Sequence, residues 1–181
     1  MGNNLYNPQF DSHGYIQVYT GDGKGKTTSA LGTVIRALGR GWRVTILQFV
    51  KNGDITGEKL FFEKFSDQVI MEQLGEGFSW QNKDHSAAAE AGWQKALPWL
   101  NGEKTCDLLV LDELNIALHY NWLDPEKVLN ALKNRKEELN VIVTGRNAPE
   151  ELIRCSDLVS RIENIKHPFD SGIPGKEGID F

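Results

Sequence analysis

The stretch Thr20–Thr28, with the sequence TGDGKGKTT, joins a glycine-rich loop to a lysine and two threonines. Glycines let successive backbone N–H groups turn toward phosphate oxygens, and a following helix adds the positive end of its dipole. A lysine at this spacing supplies a full positive charge. The pattern is typical of a loop that binds a nucleotide triphosphate. The predicted ATP-binding residues are Thr20, Gly21, Asp22, Gly23, Lys24, Gly25, Lys26, Thr27 and Thr28.

The loop departs from the common pattern GxxxxGK[ST] in one respect. That pattern requires glycine at position 20, where this chain has Thr20, and the glycines begin at Gly21. The loop is therefore one residue shorter than that pattern, which predicts that it binds the phosphates in a different way.

A second group of chemically useful residues follows the apolar stretch Leu108–Leu111. The carboxylates Asp112 and Glu113 come directly after it, as in proteins that hold Mg²⁺ beside a triphosphate at the end of a strand. The spacing suits either carboxylate, with Thr27 as a hydroxyl ligand. The alternative is that two acidic residues simply end a strand.

Elements on either side of the glycines predict how the loop is positioned. Tyr15–Tyr19 is rich in β-branched and aromatic residues, as expected of a strand. After the loop, apolar residues recur at helical spacing until Gly39 and Gly41, where the helix should end. The order strand, loop, helix is the context in which the glycine motif is informative.

The rest of the chain alternates short apolar runs with helical patterns, which predicts an α/β fold of the P-loop NTPase (RecA-like) class, with a mostly parallel central sheet flanked by helices. Predicted helices run from about Asp84 to Leu100, with Ala88, Ala91, Ala96 and Trp99 among the apolar positions, from Asp124-Pro125 onward, and from Pro149. Predicted strands are Val44–Val50, Val69–Leu74, Leu108–Leu111, Val141–Thr144 and Leu158–Ile165.

Length and composition limit the function classes. With 181 residues, 40% of them hydrophobic, the chain is expected to be one domain, with a flexible segment at 1–13 and an irregular tail at 166–181. A polar N-terminus and the lack of a long apolar run predict a cytoplasmic protein that does not enter membranes. The net charge of −5 argues against a general nucleic-acid binder. Cys106 and Cys155 are interpreted as ordinary thiols.

The sequence offers no obvious nucleophile. It has no Ser/His/Asp set, no cysteine next to a histidine and no HExxH helix. An enzyme with this sequence would depend on positioning and charge stabilisation, and the attacking atom could come from the substrate.

From Gly14 to Phe181 the chain resembles the ATP:corrinoid adenosyltransferases of the CobA/BtuR/CobO type. The residues that carry the resemblance occur in this order: the short loop Thr20 to Thr28, Gln48-Phe49-Val50-Lys51, Gly57-Glu58, Gly77-Phe78-Ser79-Trp80, Leu111-Asp112-Glu113-Leu114, Val143-Thr144-Gly145-Arg146, Lys166-His167-Pro168-Phe169-Asp170 and Gly178-Ile179-Asp180-Phe181.

The resemblance implies transfer of the 5′-deoxyadenosyl group of ATP to Co(I) of cobalamin or a precursor corrinoid, with release of triphosphate. Co(I) would then be the missing nucleophile, and it would attack C5′ of the ribose. The triphosphate would lie in the loop in the reverse of the usual direction, and Mg²⁺ or Mn²⁺ would be required. A reductase such as a flavoprotein and a homodimeric assembly are also implied.

The resemblance also implies roles for single residues. Lys26, Thr27 and Glu113 would act on the triphosphate, and Phe78 and Trp80 would lie under the corrin ring and exclude the lower axial ligand of Co(II). Arg36 would lie near both ATP and corrinoid. Without the resemblance, Arg36 is equally interpreted as a solvated helix charge, and the two aromatic residues as core residues of a strand.

Two other functions fit the glycine loop. One is a P-loop ATPase or phosphotransferase in which Glu113 orients a water or an acceptor hydroxyl. The other is a regulator that binds a nucleotide or a corrinoid without turning it over. Some relatives carry a long charged N-terminal extension over the corrinoid, whereas only about fourteen residues precede the first predicted strand here. A capping role for residues 1–13 is therefore in doubt.

Overall fold

The computed structural model describes residues 13–53, 55–75 and 85–180. Strands in these ranges form one six-stranded sheet, in the order β3-β2-β4-β5-β1-β6, and all neighbouring strands are parallel. The strands are β1 (Ile16–Thr20), β2 (Val44–Gln48), β3 (Val69–Gln73), β4 (Leu108–Asp112), β5 (Asn140–Thr144) and β6 (Leu158–Arg161).

Helices connect the strands. They are α1 (Lys26–Leu38), α2 (Gly57–Phe62), α3 (Ser86–Leu100), α4 (Leu114–His119), α5 (Pro125–Lys133) and α6 (Glu150–Cys155). Two short 3₁₀ turns are formed by Glu63–Phe65 and Pro168–Ser171. Within the described ranges, no helix is both long enough and apolar enough to cross a bilayer.

The core lies on both faces of the central strands. Every residue of β2 and of β4 is buried, which is characteristic of parallel strands covered by helices on both sides. On one face α1 contributes the buried residues Ala30 and Val34. On the other face α3 contributes Trp93 and Trp99, so the prediction of Trp99 as an apolar position of this helix is confirmed.

Strand register brings the chemically interesting residues to one edge of the sheet. Gln48 of β2 lies opposite Asp112 of β4, and Tyr19 of β1 lies opposite Thr144 of β5. The loop after β1 and the carboxylates at the end of β4 therefore meet at the carboxyl ends of the strands, where ligands bind in open α/β sheets. Strand β5 lies between them.

The predicted fold class is confirmed, and the sheet is parallel throughout. The helix α5 starts at Pro125 as predicted, and Asp124 caps it, because its side chain accepts a hydrogen bond from the N–H of Glu126. The predicted strand end at Ile165 is wrong, since β6 ends at Arg161. From Ile162 the backbone turns to the loop after β1 instead, where the carbonyl of Ile162 accepts a bond from the N–H of Gly23 over 2.9 Å.

Smaller expectations have mixed outcomes. Strand β2 ends at Gln48 and not at Val50. The predicted start of the third helix at Asp84 lies outside the described residues, and its predicted apolar position Ala91 is exposed. Burial raises the pKa of the Cys106 thiol to about 11, as suits an unreactive thiol. Segment 1–13 lies outside the described residues except for its last residue.

Candidate active site

The glycine loop, residues 21–25, leads from β1 into α1. Gly21 and Gly25 have φ angles of 98° and 114°, in the left-handed region that favours glycine. A Cβ atom on Gly21 or Gly23 would overlap the backbone of Ile162 and Glu163 beyond β6. Two of these glycines are therefore required by the close approach of another chain segment.

This packing limits which amides can bind an anion. The N–H of Gly23 already donates to Ile162, so it does not face a ligand. The helix α1 starts at Lys26 without a side-chain cap, and its first intrahelical bond at this end runs from the N–H of Ser29 to Gly25. The amides of residues 26–28 thus have no partner within the helix, and they carry the positive end of its dipole.

The Lys26 ammonium group lies inside the curve of the loop. Its Nζ donates to the carbonyl of Gly21 over 2.8 Å and to that of Gly23 over 2.6 Å. Burial, together with the positive charge of Arg146, lowers the pKa of Lys26. The two carbonyls hold the ammonium group beside the start of α1, where a phosphate could bind both.

A buried hydrogen-bond network joins the loop to the end of β4. The hydroxyl of Thr27 donates to Oδ1 of Asp112 over 2.9 Å, and the hydroxyl of Thr144 donates to the same oxygen over 2.6 Å. Oδ2 of Asp112 accepts from Nε2 of Gln48 over 2.9 Å. Asp112 is fully buried, so its carboxylate acts as the acceptor that holds Thr27 in place.

Glu113, the next residue, has a different environment. It adopts a left-handed backbone with φ of 64°, and its side chain lines the cleft described below. Burial, with the charge of Asp112 second, raises the pKa of Glu113 to about 7, although Lys51, Lys26 and Arg146 oppose the shift. Of the two candidate carboxylates, only Glu113 faces the cleft.

The cleft has a volume of about 960 Å³, which is sufficient for a nucleotide. Its lining comes from elements far apart in sequence and is both polar and apolar, with Leu31, Ile35 and Phe61 among the apolar residues. Polar residues of the wall include Lys26, Thr27, Lys51, Glu58, Glu113 and Arg146.

Lys51 and Glu58 form an ion pair of 2.8 Å at the rim of the cleft. Burial opposes a charge on Lys51, but the hydrogen bond and the charge of Glu58 outweigh it and raise the pKa of Lys51. This lysine is therefore charged and already paired. Arg146, in contrast, makes no ion pair with another residue of the described ranges.

The C-terminal tail reaches the cleft, which the sequence did not predict. Asp180 pairs with Lys24 of the glycine loop over 2.5 Å, and its other oxygen accepts from the N–H of Lys176 over 2.6 Å. The bond from Lys24 lowers the pKa of Asp180. His167 and Ile179 of the tail also line the cleft. The tail is irregular, as expected, but it contributes to the wall.

The predicted site residues have different positions. Residues 22–28 line the cleft together with Glu113, whereas Gly21 and Asp112 are not part of its lining. Thr20 is a buried strand residue whose hydroxyl accepts from the N–H of Ala148. Arg36 is exposed and does not line the cleft within the described ranges, although its neighbour Ile35 on α1 does. Its role stays a prediction. Phe78 and Trp80 lie outside the described residues.

Sequence reasoning assigned no role to Lys51, Glu58 or Arg146. All three lie within motifs that carried the family resemblance, and that was the only available signal. Their charged groups line the same cleft as the glycine loop, because the carboxyl ends of β2 and β5 lie at the same edge of the sheet as that of β1.

The donor atoms at this edge suit a hard cation. The hydroxyl of Thr27 and the carboxylate of Glu113 offer only oxygen, the ligand atom that Mg²⁺ prefers, and the carboxylate of Asp112 lies behind them with both oxygens hydrogen-bonded. Within the described ranges, no cluster of three or more His, Cys, Asp or Glu side chains could hold a metal alone. A cation here would therefore take further ligands from a nucleotide and water.

Comparison with known proteins identifies a family that this chain matches. Residues 12–181 match the family described as ATP:corrinoid adenosyltransferase BtuR/CobO/CobP. A corrinoid adenosyltransferase of Pseudomonas aeruginosa is 41% identical over 174 residues, which is 94% of this chain and 85% of that protein. One from Sinorhizobium sp is 42% identical over 176 residues, or 94% and 82%. Corrinoid adenosyltransferase CobA of Salmonella typhimurium is 37% identical, covering 94% and 87%.

Among solved structures, the flagellar accessory protein FlaH from Methanocaldococcus jannaschii is similar with a TM-score of 0.56 at 12% sequence identity. The likeness covers 82% of this chain and 71% of that one. At this identity it concerns the fold alone.

Proposed function

The chain belongs to the ATP:corrinoid adenosyltransferase family, and we propose that the cleft beside the glycine loop is where it acts. The enzyme transfers the adenosyl group of ATP to a corrinoid. The observation that carries the assignment of the cleft is the part-buried hydrogen bond from Thr27 to Asp112. It joins the uncapped start of α1 to the acidic end of β4, so an anion site and a cation site lie side by side.

The triphosphate of ATP binds at the start of α1. The free amides of residues 26–28 and the Lys26 ammonium group face it, and the charge of Arg146 is close enough to lower the pKa of Lys26. Phosphate is stabilised at such helix termini. These groups stabilise the charge that grows on the triphosphate as it leaves.

Mg²⁺, or Mn²⁺ in its place, would be held by the hydroxyl of Thr27 and the carboxylate of Glu113. Asp112 supports this from behind, because its oxygens accept bonds from three neighbouring side chains. When bound, the ion supplies positive charge that offsets the charge of the triphosphate.

The reacting electron pair comes from the substrate. Co(I) of the reduced corrinoid attacks C5′ of ATP, a Co–C bond forms, and the C5′–O bond breaks with its electron pair leaving on the triphosphate. The chain needs no nucleophile of its own for this step, in agreement with the motifs that its sequence lacks. Its residues orient ATP and stabilise the leaving group.

Phe78 and Trp80 are proposed to lie under the corrin ring and to exclude the lower ligand of Co(II). Support comes from Gly75, the last described residue before them, whose N–H donates to the carbonyl of Lys51 over 3.1 Å at the rim of the cleft. Gly75 itself therefore lies next to Lys51, which lines the cleft. Phe78→Ala or Trp80→Ala should impair reaction from Co(II) far more than reaction from preformed Co(I), and equal losses would remove this role.

We also propose an electron donor, an oligomeric state and a cellular location for the enzyme, and a contact for Arg36. A flavoprotein reductase supplies electrons to the corrinoid, the chain acts as a homodimer in the cytoplasm, and Arg36 contacts ATP or corrinoid. These features rest on the family resemblance.

Product analysis tests the function. The purified protein is incubated with ATP, Mg²⁺ and chemically reduced cobalamin, with a reaction lacking cobalamin as control. Intact triphosphate and a light-sensitive cobalt–carbon product are expected in equal amounts. ADP and phosphate would indicate an ATPase or phosphotransferase, and tight binding without any product would indicate a regulator.

A further inference from the structure

Thr144 occupies a central place in the buried network at the edge of the sheet. It is the last residue of β5, between β1 and β4, and it is fully buried. Its hydroxyl donates to Oδ1 of Asp112 over 2.6 Å and accepts from the N–H of Glu113 over 2.9 Å. One hydroxyl therefore contacts both members of the acidic pair.

The direction of each hydrogen bond is fixed by chemistry. An N–H group can only donate, so Thr144 accepts from Glu113, and its single hydrogen is left for the carboxylate of Asp112. Thr27 likewise donates its single hydroxyl hydrogen to Asp112. The lone pairs of Thr27 are thereby left for a cation, and this orientation depends on an Asp112 that is held still.

The bond to Glu113 also fixes the backbone conformation of that residue. Glu113 has a left-handed backbone, with φ of 64° and ψ of 17°, which a residue with a side chain adopts only when its surroundings enforce it. The Thr144 hydroxyl holds the N–H at this position. Because of this turn, the side chain of Asp112 stays buried in the sheet while that of Glu113 lines the cleft.

We propose that Thr144 is a positioning residue of the transfer reaction: its hydroxyl holds Asp112 and Glu113 so that Thr27 and Glu113 direct their oxygen atoms toward magnesium and the triphosphate. This inference rests on the proposed function. Groups that orient metal ligands from behind commonly change metal affinity or activity by 10- to 100-fold when they are removed.

The first test measures binding without turnover. ATP is titrated calorimetrically into the parent protein and into Thr144→Val, once with Mg²⁺ and once with EDTA. The variant should bind MgATP about 10-fold or more weakly, whereas its affinity for metal-free ATP should change by less than about threefold. A residue with only a structural role would leave the effect of Mg²⁺ on ATP affinity unchanged.

The second test measures turnover with matched variants. Thr144→Val should lower kcat by about 10- to 100-fold and raise the Mg²⁺ concentration for half-maximal rate. Thr144→Ser keeps the hydroxyl and should restore both values to within about threefold of the parent. Thr45→Val, which changes a buried threonine of β2 that does not line the cleft, should leave them unchanged.

Other results would overturn the positioning role of Thr144. A Thr144→Val protein with parental MgATP binding and kcat, or a Thr144→Ser protein as impaired as Thr144→Val, would overturn the proposal. If Thr144→Val does not fold, Thr144→Ala, which leaves room for water at the two unpaired groups, takes its place. Failure of both to fold would assign Thr144 to folding alone. A parent protein that binds MgATP but adenosylates nothing would contradict the proposed function, and the titrations would still test Thr144.

Discussion

Thr27 and Asp112 are 85 residues apart in sequence, and a hydrogen bond of 2.9 Å joins them in the fold. It links the first turn of α1 to the last residue of β4 across the intervening strand β5. The glycine loop and the acidic pair are therefore two halves of one site, and a change in either half should affect the other.

Replacement of Thr27 tests this link. Thr27→Val removes the hydroxyl that Asp112 accepts from and that the cation needs, so kcat/KM for ATP should fall by about 100-fold or more. Thr27→Ser keeps the hydroxyl and should stay within about tenfold of the parent. Thr33→Val, about 1.7 turns further along α1, serves as control. It removes a hydroxyl that donates to the carbonyl of Ser29 and lies 3.5 Å from the hydroxyl of Tyr19, and within the described ranges this residue does not line the cleft. Equal activity of Thr27→Val and Thr33→Val would contradict the assigned role.

Arg146 is predicted to stabilise the leaving group. Arg146→Gln should lower kcat by about 100- to 1,000-fold, as expected when a group that stabilises developing charge is lost, and should weaken inhibition by inorganic triphosphate. The control is Arg154→Gln on α6, an exposed arginine paired with Glu151. Steady-state kinetics check both. Parental kcat in Arg146→Gln would show that the arginine does not contact the triphosphate.

Glu113 should make the stability of the metal-free protein depend on pH. Its pKa is raised to about 7 by burial and then by Asp112, whereas an unfolded glutamate ionises near pH 4.3, roughly. Between these values the folded chain holds a proton that the unfolded chain has released, so the free energy of unfolding falls as the pH rises from about 4.3 to 7. Glu113→Gln should remove this fall.

Urea denaturation at several pH values measures the effect. Glu113→Gln should be more stable than the parent at pH 8, by on the order of 3 to 4 kcal/mol, and should lose this advantage near pH 4.5. Glu63→Gln, an exposed change on the turn after α2, should follow the parent at every pH. Parallel profiles for Glu113→Gln and the parent would mean that Glu113 is not buried as described.

Two glycines should respond in opposite directions to the same substitution. A methyl group on Gly23 would overlap the carbonyl of Glu163, so Gly23→Ala should lower the free energy of unfolding by about 1 to 3 kcal/mol. Gly32 lies inside α1 with open space around the new Cβ, and Gly32→Ala should raise the free energy by about 0.5 to 1 kcal/mol. Denaturation of the nucleotide-free proteins compares them. If Gly23→Ala is as stable as the parent, the loop does not pack on Glu163 in solution.

The sequence predicted those strands and helices that depend on local residue patterns. The strand before the glycines, the helix after them and the buried strand before Asp112 follow from periodicity and turn chemistry, and all are present. It did not distinguish Asp112 from Glu113, because both follow the same apolar run. That distinction depends on Thr144, which comes from another strand and fixes the turn between them.

Two further features required the tertiary structure. The motif treats all glycines of the loop as phosphate-facing, but Gly23 is committed to Ile162, which β6 brings alongside the loop. Arg146 and Asp180 join the cleft from the ends of distant elements, and no spacing rule relates them to Lys26.

We propose that ATP is held by its triphosphate while its C5′ atom is attacked. ATP carrying ¹⁸O at the 5′ bridging position distinguishes attack at C5′ from attack at phosphorus, in a reaction with Mg²⁺ and reduced cobalamin and with Lys26→Ala as a control that should form no product. The label should leave with intact triphosphate, because the C5′–O bond breaks. Label that stays on an adenosine phosphate, with unlabelled phosphate released, would show cleavage at phosphorus and would rule out attack at C5′.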